Sequence, residues 1–161
     1  MPRAEDETGV RISILDRLID YEPGLSREAD PSRPRSLRLL RDSVRRDLEW
    51  LLNTRQTEFG LDPDLKELNE SVAAFGLPDF THLNAHKTED QKEIRRQLED
   101  AIRFFEPRLE GVVVNFQQAQ STDRLMHFRI SARLRVDPEP EPITFDTVVQ
   151  HGNGQFLVRE E

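Results

Sequence analysis

The stretch Ile102-Arg103-Phe104-Phe105-Glu106-Pro107-Arg108-Leu109-Glu110-Gly111-Val112-Val113-Val114 constrains the fold most. An amphipathic helix runs into Glu-Pro-Arg, and a β-branched strand begins a few residues later. Proline has no N–H, and its ring clashes with the preceding turn, so the helix must end near Glu106. An acid and a base, separated by a residue of fixed φ, therefore stand at the corner between a helix and a sheet.

Helical spacing precedes this corner and strand spacing follows it. Leu37, Leu40, Val44, Leu48, Leu51 and Leu52 form one apolar face, with Ser36 expected as its cap. Residues 65–75 suggest a short helix closed by Gly76 and Pro78. Thr88 and Gln91 have capping-box spacing ahead of a second long helix, whose inner face is Ile94, Leu98, Ala101, Ile102 and Phe105. Phe128, Ile130, Ala132, Leu134 and Val136 then alternate with His127, Arg129, Ser131, Arg133 and Arg135, the pattern of a strand with one wet, basic face. Ile143, Phe145, Thr147 and Val149 alternate in the same way. Gly152-Asn153-Gly154 predicts a tight hairpin into Phe156-Leu157-Val158. Helices first and strands later predict an α+β fold, a small antiparallel sheet with two main helices on one face. The ends of such a sheet leave edges able to accept another chain's strand.

Ile14, Leu15, Leu18 and Ile19 make a short amphipathic stripe, and Glu22–Pro34 is rich in proline and polar residues. Residues 1–34 are thus expected to be a flexible tail with a short amphipathic segment and a linker, and residues 35–161 the folded domain. A stripe this short is marginal as an isolated helix, so Leu15 and Leu18 are expected to order on a partner. Met1–Glu7 is acidic and has no apolar run, so no secretory signal is expected. No segment approaches the ~20 apolar residues of a membrane span, and a cytoplasmic location is expected.

Charged residues make up 34% of the chain and apolar ones 35%, a lean core under a well-solvated surface. The net charge of −8 argues against nucleic acid and anionic membrane as partners. Arg33, Arg35, Arg38, Arg41, Arg45 and Arg46 nevertheless crowd one stretch, offset only by Asp42. They form either a solvated helix face or a docking face for an acidic partner. Trp50 lies off the leucine face, as a core edge or an interface anchor. The chain has no cysteine, which excludes thiolate chemistry and cysteine metal sites. His82 and His86 are four apart but lack a third ligand; they, His127 and His151 read as surface residues, and no metal or cofactor is expected.

Four segments, in order, resemble the TssE family of type VI secretion baseplate wedge components and its contractile-phage-tail relatives. These are Ser13–Leu18, the helix Asp42–Arg55, the loop Ser71–Phe80 with its Phe-Gly-Leu-Pro-Asp run, and Glu106-Pro107-Arg108. The resemblance implies a structural subunit that joins TssF and TssG, with TssK as a further candidate partner, and templates the TssB–TssC sheath. It makes Glu106, Pro107, Arg108, Arg45, Arg46, Trp50, Leu15 and Leu18 the expected partner-binding residues. The family is often labelled lysozyme-like, but a glycosidase acid needs apolar surroundings and a second carboxylate. Arg108 beside Glu106 stabilises the carboxylate rather than the acid, so no enzyme activity is expected. As an exposed pair the two would be worth roughly 0–1 kcal/mol. The same fold also serves a bacterial anti-adaptor, which is the alternative binding role.

Overall fold

The structure is a computed structural model that describes residues 10, 13–19, 24, 32–56, 62, 64–69, 71–80, 87–117, 126–149 and 155–160. The expected hairpin turn at Gly152-Asn153-Gly154, His82, His86, His151, and most of the tail and linker lie outside these residues. Within α2 the chain divides into two compact units, Met1–Val44 and Arg45–Glu161.

In the first unit, α1 (Ile14–Leu18) starts at Ser13, whose hydroxyl accepts from the Asp16 amide at 3.1 Å. The Asp16 carboxylate also accepts from Ser43 Oγ on α2 (Arg33–Asn53), at 2.6 Å. Ile14, Leu15 and Leu18 are 56–76% exposed. Ser36 does not cap α2. The helix begins three residues earlier, the Ser36 amide bonds the Ser32 carbonyl at 2.9 Å, and Ser36 is buried within the first turns. Proline tolerates the opening turn of a helix, so Pro34 was no barrier to this earlier start.

The second unit is the sheet with its helices. β1 (Leu109–Gln117), β2 (Met126–Leu134), β3 (Glu141–Val149) and β4 (Phe156–Glu160) form one antiparallel meander in the order β1-β2-β3-β4. The register sets Ile130 opposite Val114 and Phe145, and Thr147 opposite Phe128 and Val158, so the apolar residues of all four strands share one face. That face is buried, with Val114, Phe128, Ile130, Leu134 and Phe145 at 0–1% exposure. The two main helices cover it. Leu48, Leu51 and Leu52 of α2 and Ile94, Leu98 and Ile102 of α4 (Thr88–Phe105) are the buried positions that helical spacing picked out. The expected capping box of α4 is absent. Lys87 holds the N-cap position without a side-chain bond, and Thr88 is the first helical residue, with Glu89 and Asp90 favouring the positive end of the helix dipole.

Each helix also reaches a sheet edge. Glu99 of α4 accepts from the Val114 amide on β1 at 2.8 Å. Asn53, the last residue of α2, accepts from the Phe156 amide and donates to the Phe156 carbonyl on β4, both at 2.9 Å. The Asn53 side chain thereby replaces one residue of a neighbouring strand. β1 carries a further irregularity, a bulge between Glu110 and Val113 with Gly111 at φ +62°. Two residues there oppose one on β2, which twists the edge.

The expected short helix over 65–75 is resolved into α3 (Lys66–Asn69) and a 3-10 turn (Val72–Ala74). The loop after it is strapped to the end of α2. Leu77 donates to the Thr54 carbonyl and Gln56 to the Leu77 carbonyl, both at 2.8 Å. Gly76 sits at φ +111°, and a Cβ there would stand 2.5 Å from the Thr54 carbonyl oxygen, so only glycine fits. Phe75 meets Phe105 edge-on at 5.2 Å, which ties the same loop to the end of α4.

Candidate functional site

The corner is built from backbone outward. The Glu106 amide makes the last helical bond of α4, to the Ile102 carbonyl at 2.8 Å. Pro107 turns the chain, and the Leu109 amide returns to the Glu106 carbonyl at 3.1 Å. The Arg108 carbonyl then accepts from the Arg135 amide at 2.8 Å, which continues the β1–β2 pairing back to the corner. Arg108 is thus fixed on one side by a helix end and on the other by a sheet.

Its guanidinium grips Glu106 at both oxygens, from Nε to Oε1 and from Nη2 to Oε2, each at 2.5 Å. Nη2 also donates to Asp47 Oδ2 on α2 at 2.6 Å. The other Asp47 oxygen accepts from Arg46, with Nε at 3.0 Å and Nη2 at 2.9 Å. Four alternating charges form a ladder. Its side chains open steadily toward solvent: 5% for Glu106, 25% for Arg108, 31% for Asp47 and 38% for Arg46. Burial disfavours the Arg108 charge, but the hydrogen bonds and charge of Glu106, and then of Asp47, outweigh it and hold the guanidinium above its ordinary value. The sequence expectation of an exposed pair is therefore corrected: Glu106 is 3% exposed. Glu106 still closes the helix, its amide bonded to the Ile102 carbonyl, and the exposed turn begins only at Pro107.

Arg46 also belongs to a second feature. Arg45, Arg46, Glu49, Trp50 and Asn53 line an open hollow of about 280 Å³ along α2. Arg45 pairs with Glu49 across one turn at 3.4 Å, and Trp50 is 67% exposed beside them. The structure thus brings Glu106, Arg108 and Arg46 into one network and Arg45, Arg46 and Trp50 into one hollow, with Pro107 exposed at the turn. Leu15 and Leu18 lie on α1 in the first unit.

Sequence reasoning missed Asp47. A signal existed: Asp47 sits three residues after Val44 and one before Leu48, so it flanks the buried stripe of α2. A charge there faces the rim of the core and needs a partner. Asn53 and Glu99 were missed for another reason: their partners are backbone groups of strands distant in sequence, which no pattern of side chains announces.

What this site offers chemically is ion pairing. Both oxygens of the Glu106 carboxylate are engaged by the Arg108 guanidinium, and Pro107 and Arg108 form a rigid, partly exposed corner. Among the described residues no group of three or more acids and histidines could hold a metal ion. Among them, too, no helix is long and apolar enough to cross a membrane.

Residues 38–139 match a family described as baseplate wedge protein gp25. The chain is also similar to proteins named anti-adapter protein IraD. That of Escherichia coli (strain UTI89 / UPEC) is 31% identical over 114 residues, which are 71% of this chain and 79% of the relative. Those of Escherichia coli O157:H7 (strain EC4115 / EHEC) and Shigella flexneri serotype 5b (strain 8401) are each 30% identical over 122 residues, 76% of this chain and 83% of the relative.

Proposed function

This chain belongs to the gp25 baseplate wedge family, and on that footing we propose that it is a structural subunit of a type VI secretion baseplate. In this role it binds TssF and TssG, with TssK as a further contact, and seeds the TssB–TssC sheath on the cytoplasmic face of the inner membrane. It turns nothing over. The observation that carries the reading is that the family-matched segment, residues 38–139, contains every member of the Glu106–Arg108–Asp47–Arg46 ladder. Buried Glu106 orients the corner, while Pro107, Arg108, Arg45, Arg46 and Trp50 meet the wedge partners. A charged group already fixed by internal pairs loses little conformational freedom on binding, which favours a permanent joint. Leu15 and Leu18 of α1 supply a second, apolar contact.

Sheath seeding would use a free sheet edge, by main-chain hydrogen bonding to an incoming strand. β1 is the less open of the two edges, since Glu99 occupies the Val114 amide and the Gly111 bulge twists the strand. At β4 the neutral Asn53 amide bonds the N–H and C=O of Phe156.

The names of the curated relatives favour a second reading, in which the chain binds and blocks an adaptor of proteolysis. One experiment separates the two. The chain is co-expressed with TssF and TssG in one arm and with a proteolysis adaptor in the other. The proposal expects a stable complex with the wedge subunits, weakened by Arg45→Glu with Arg46→Glu. Capture of the adaptor alone would replace it with the second reading.

A further inference from the structure

Arg46 lines the hollow, but its guanidinium is held elsewhere. Glu49, Trp50 and Asn53 follow Arg46 by three, four and seven residues, so the four stems share one stripe of α2. Asp47 is the next residue after Arg46, about 100° round the helix, and side chains so placed do not face each other. The Arg46 guanidinium nevertheless grips Asp47 Oδ1 through both Nε and Nη2, at 3.0 and 2.9 Å. Its long stem is therefore drawn sideways, off the stripe and toward the corner. The other Asp47 oxygen takes Nη2 of Arg108, which donates to Glu106 as well. One carboxylate, 31% exposed, thus divides its charge between a guanidinium of the hollow and a guanidinium of the corner.

We infer that Asp47 is a positioning residue that couples the hollow to the Glu106–Arg108 corner. The strength of its hold on Arg46 depends on how much of its charge Arg108 draws. With Glu106 charged, Arg108 is shared between two carboxylates, and Asp47 retains charge for Arg46. Without the Glu106 charge, Arg108 draws on Asp47 alone. Arg46 is then released toward its own stripe, where Glu49 and the Trp50 ring are its helical neighbours. Coupling between two sites is reciprocal, so a partner carboxylate that takes Arg46 at the hollow leaves Asp47 to Arg108. This consequence for partners rests on the joining role proposed for the hollow and the corner. The coupling itself belongs to this chain and needs no partner to be measured.

Trp50 is the only tryptophan of the chain, so its emission reports on the hollow. The full chain is quenched with iodide and with acrylamide at a fixed ionic strength of about 0.5 M, where charges beyond roughly 4–5 Å are screened. Iodide responds to positive charge beside the indole, whereas both quenchers respond to its exposure. The ratio of the two quenching constants therefore follows the Arg46 charge. Asp47→Asn keeps the shape and removes the charge, and is expected to raise the ratio about twofold. Glu106→Gln is expected to raise it by a smaller factor, and to add nothing in the Asp47→Asn background. With Arg46→Gln in place, neither change should move the ratio. An unchanged ratio in Asp47→Asn would overturn the inference. So would a rise that persists with Arg46→Gln, or an effect of Glu106→Gln that is equal with and without Asp47. If Asp47→Asn does not fold, Glu106→Gln decides alone. A rise in the wild-type background and none in the Arg46→Gln background is the expected result, and any other overturns the coupling.

Discussion

Arg108 links a helix end, a strand start and a second helix through a single guanidinium, and its loss has more than one consequence. Arg108→Ala leaves Glu106, at 3% exposure, without its counter-charge. Removing one member of a buried pair costs about 3–5 kcal/mol. Glu106→Gln keeps the shape and leaves Arg108 paired to Asp47, so about 1–3 kcal/mol is expected. Urea melts of the two variants should therefore rank Arg108→Ala as the less stable. Equal, near-wild-type midpoints would mean that the ladder is not formed in solution. Leu48→Ala, at 0% exposure, should cost about 2–5 kcal/mol, whereas charge reversal at Arg45, 38% exposed, should leave the midpoint near wild type. The acid and base of this corner were readable as a motif. Their burial was not, because it depends on which side of α4 the turn falls.

For helices and strands, apolar periodicity carried nearly everything and punctuation carried less. The alternation over Phe128–Val136 fixed which side of β2 is buried, and the leucine stripe fixed the inner face of α2. The caps were read wrongly at Ser36 and Thr88, since a cap depends on where the chain enters the helix and not on residue type alone. The glycines show the same division. Gly76 and Gly111 both have positive φ, but only at Gly76 does a neighbouring backbone occupy the space of a side chain. Gly111→Ala should cost about 1–2 kcal/mol from its left-handed conformation alone. Gly76→Ala should cost more, because the strap from Leu77 to Thr54 must move as well. Thermal melts that reversed this order would contradict the description of the loop. Asn53→Ala should remove roughly 0.5–1.5 kcal/mol for each of its two bonds to Phe156. In amide exchange it should free the Phe156 N–H.

Across the chain, a structural subunit is expected to divide its surface between folding and joining. The first unit is the place to look, since Leu15 and Leu18 are exposed and α1 is linked to α2 through Asp16 and Ser43. Deleting residues 1–22 removes the Asp16–Ser43 bond, worth roughly 0.5–1.5 kcal/mol. The melting temperature of the isolated protein should fall by a few degrees at most, while binding to wedge subunits drops sharply. Sequence motifs pointed to this division because three of the four matched segments converge around the corner: the α2 helix through Asp47, the glycine loop through Phe75 on Phe105, and Glu106–Arg108 itself. They left open which partner is joined, because relatives named as anti-adapters are 31% identical over 114 residues. The deciding measurement is the mass of the complex that this chain forms with TssF and TssG, by size exclusion with light scattering. A stable assembly containing all three proteins, lost with Arg45→Glu and Arg46→Glu while the variant stays folded, is the predicted result. Separate elution of the wild-type chain from the wedge subunits, with a stable complex formed only with a proteolysis adaptor, would contradict it.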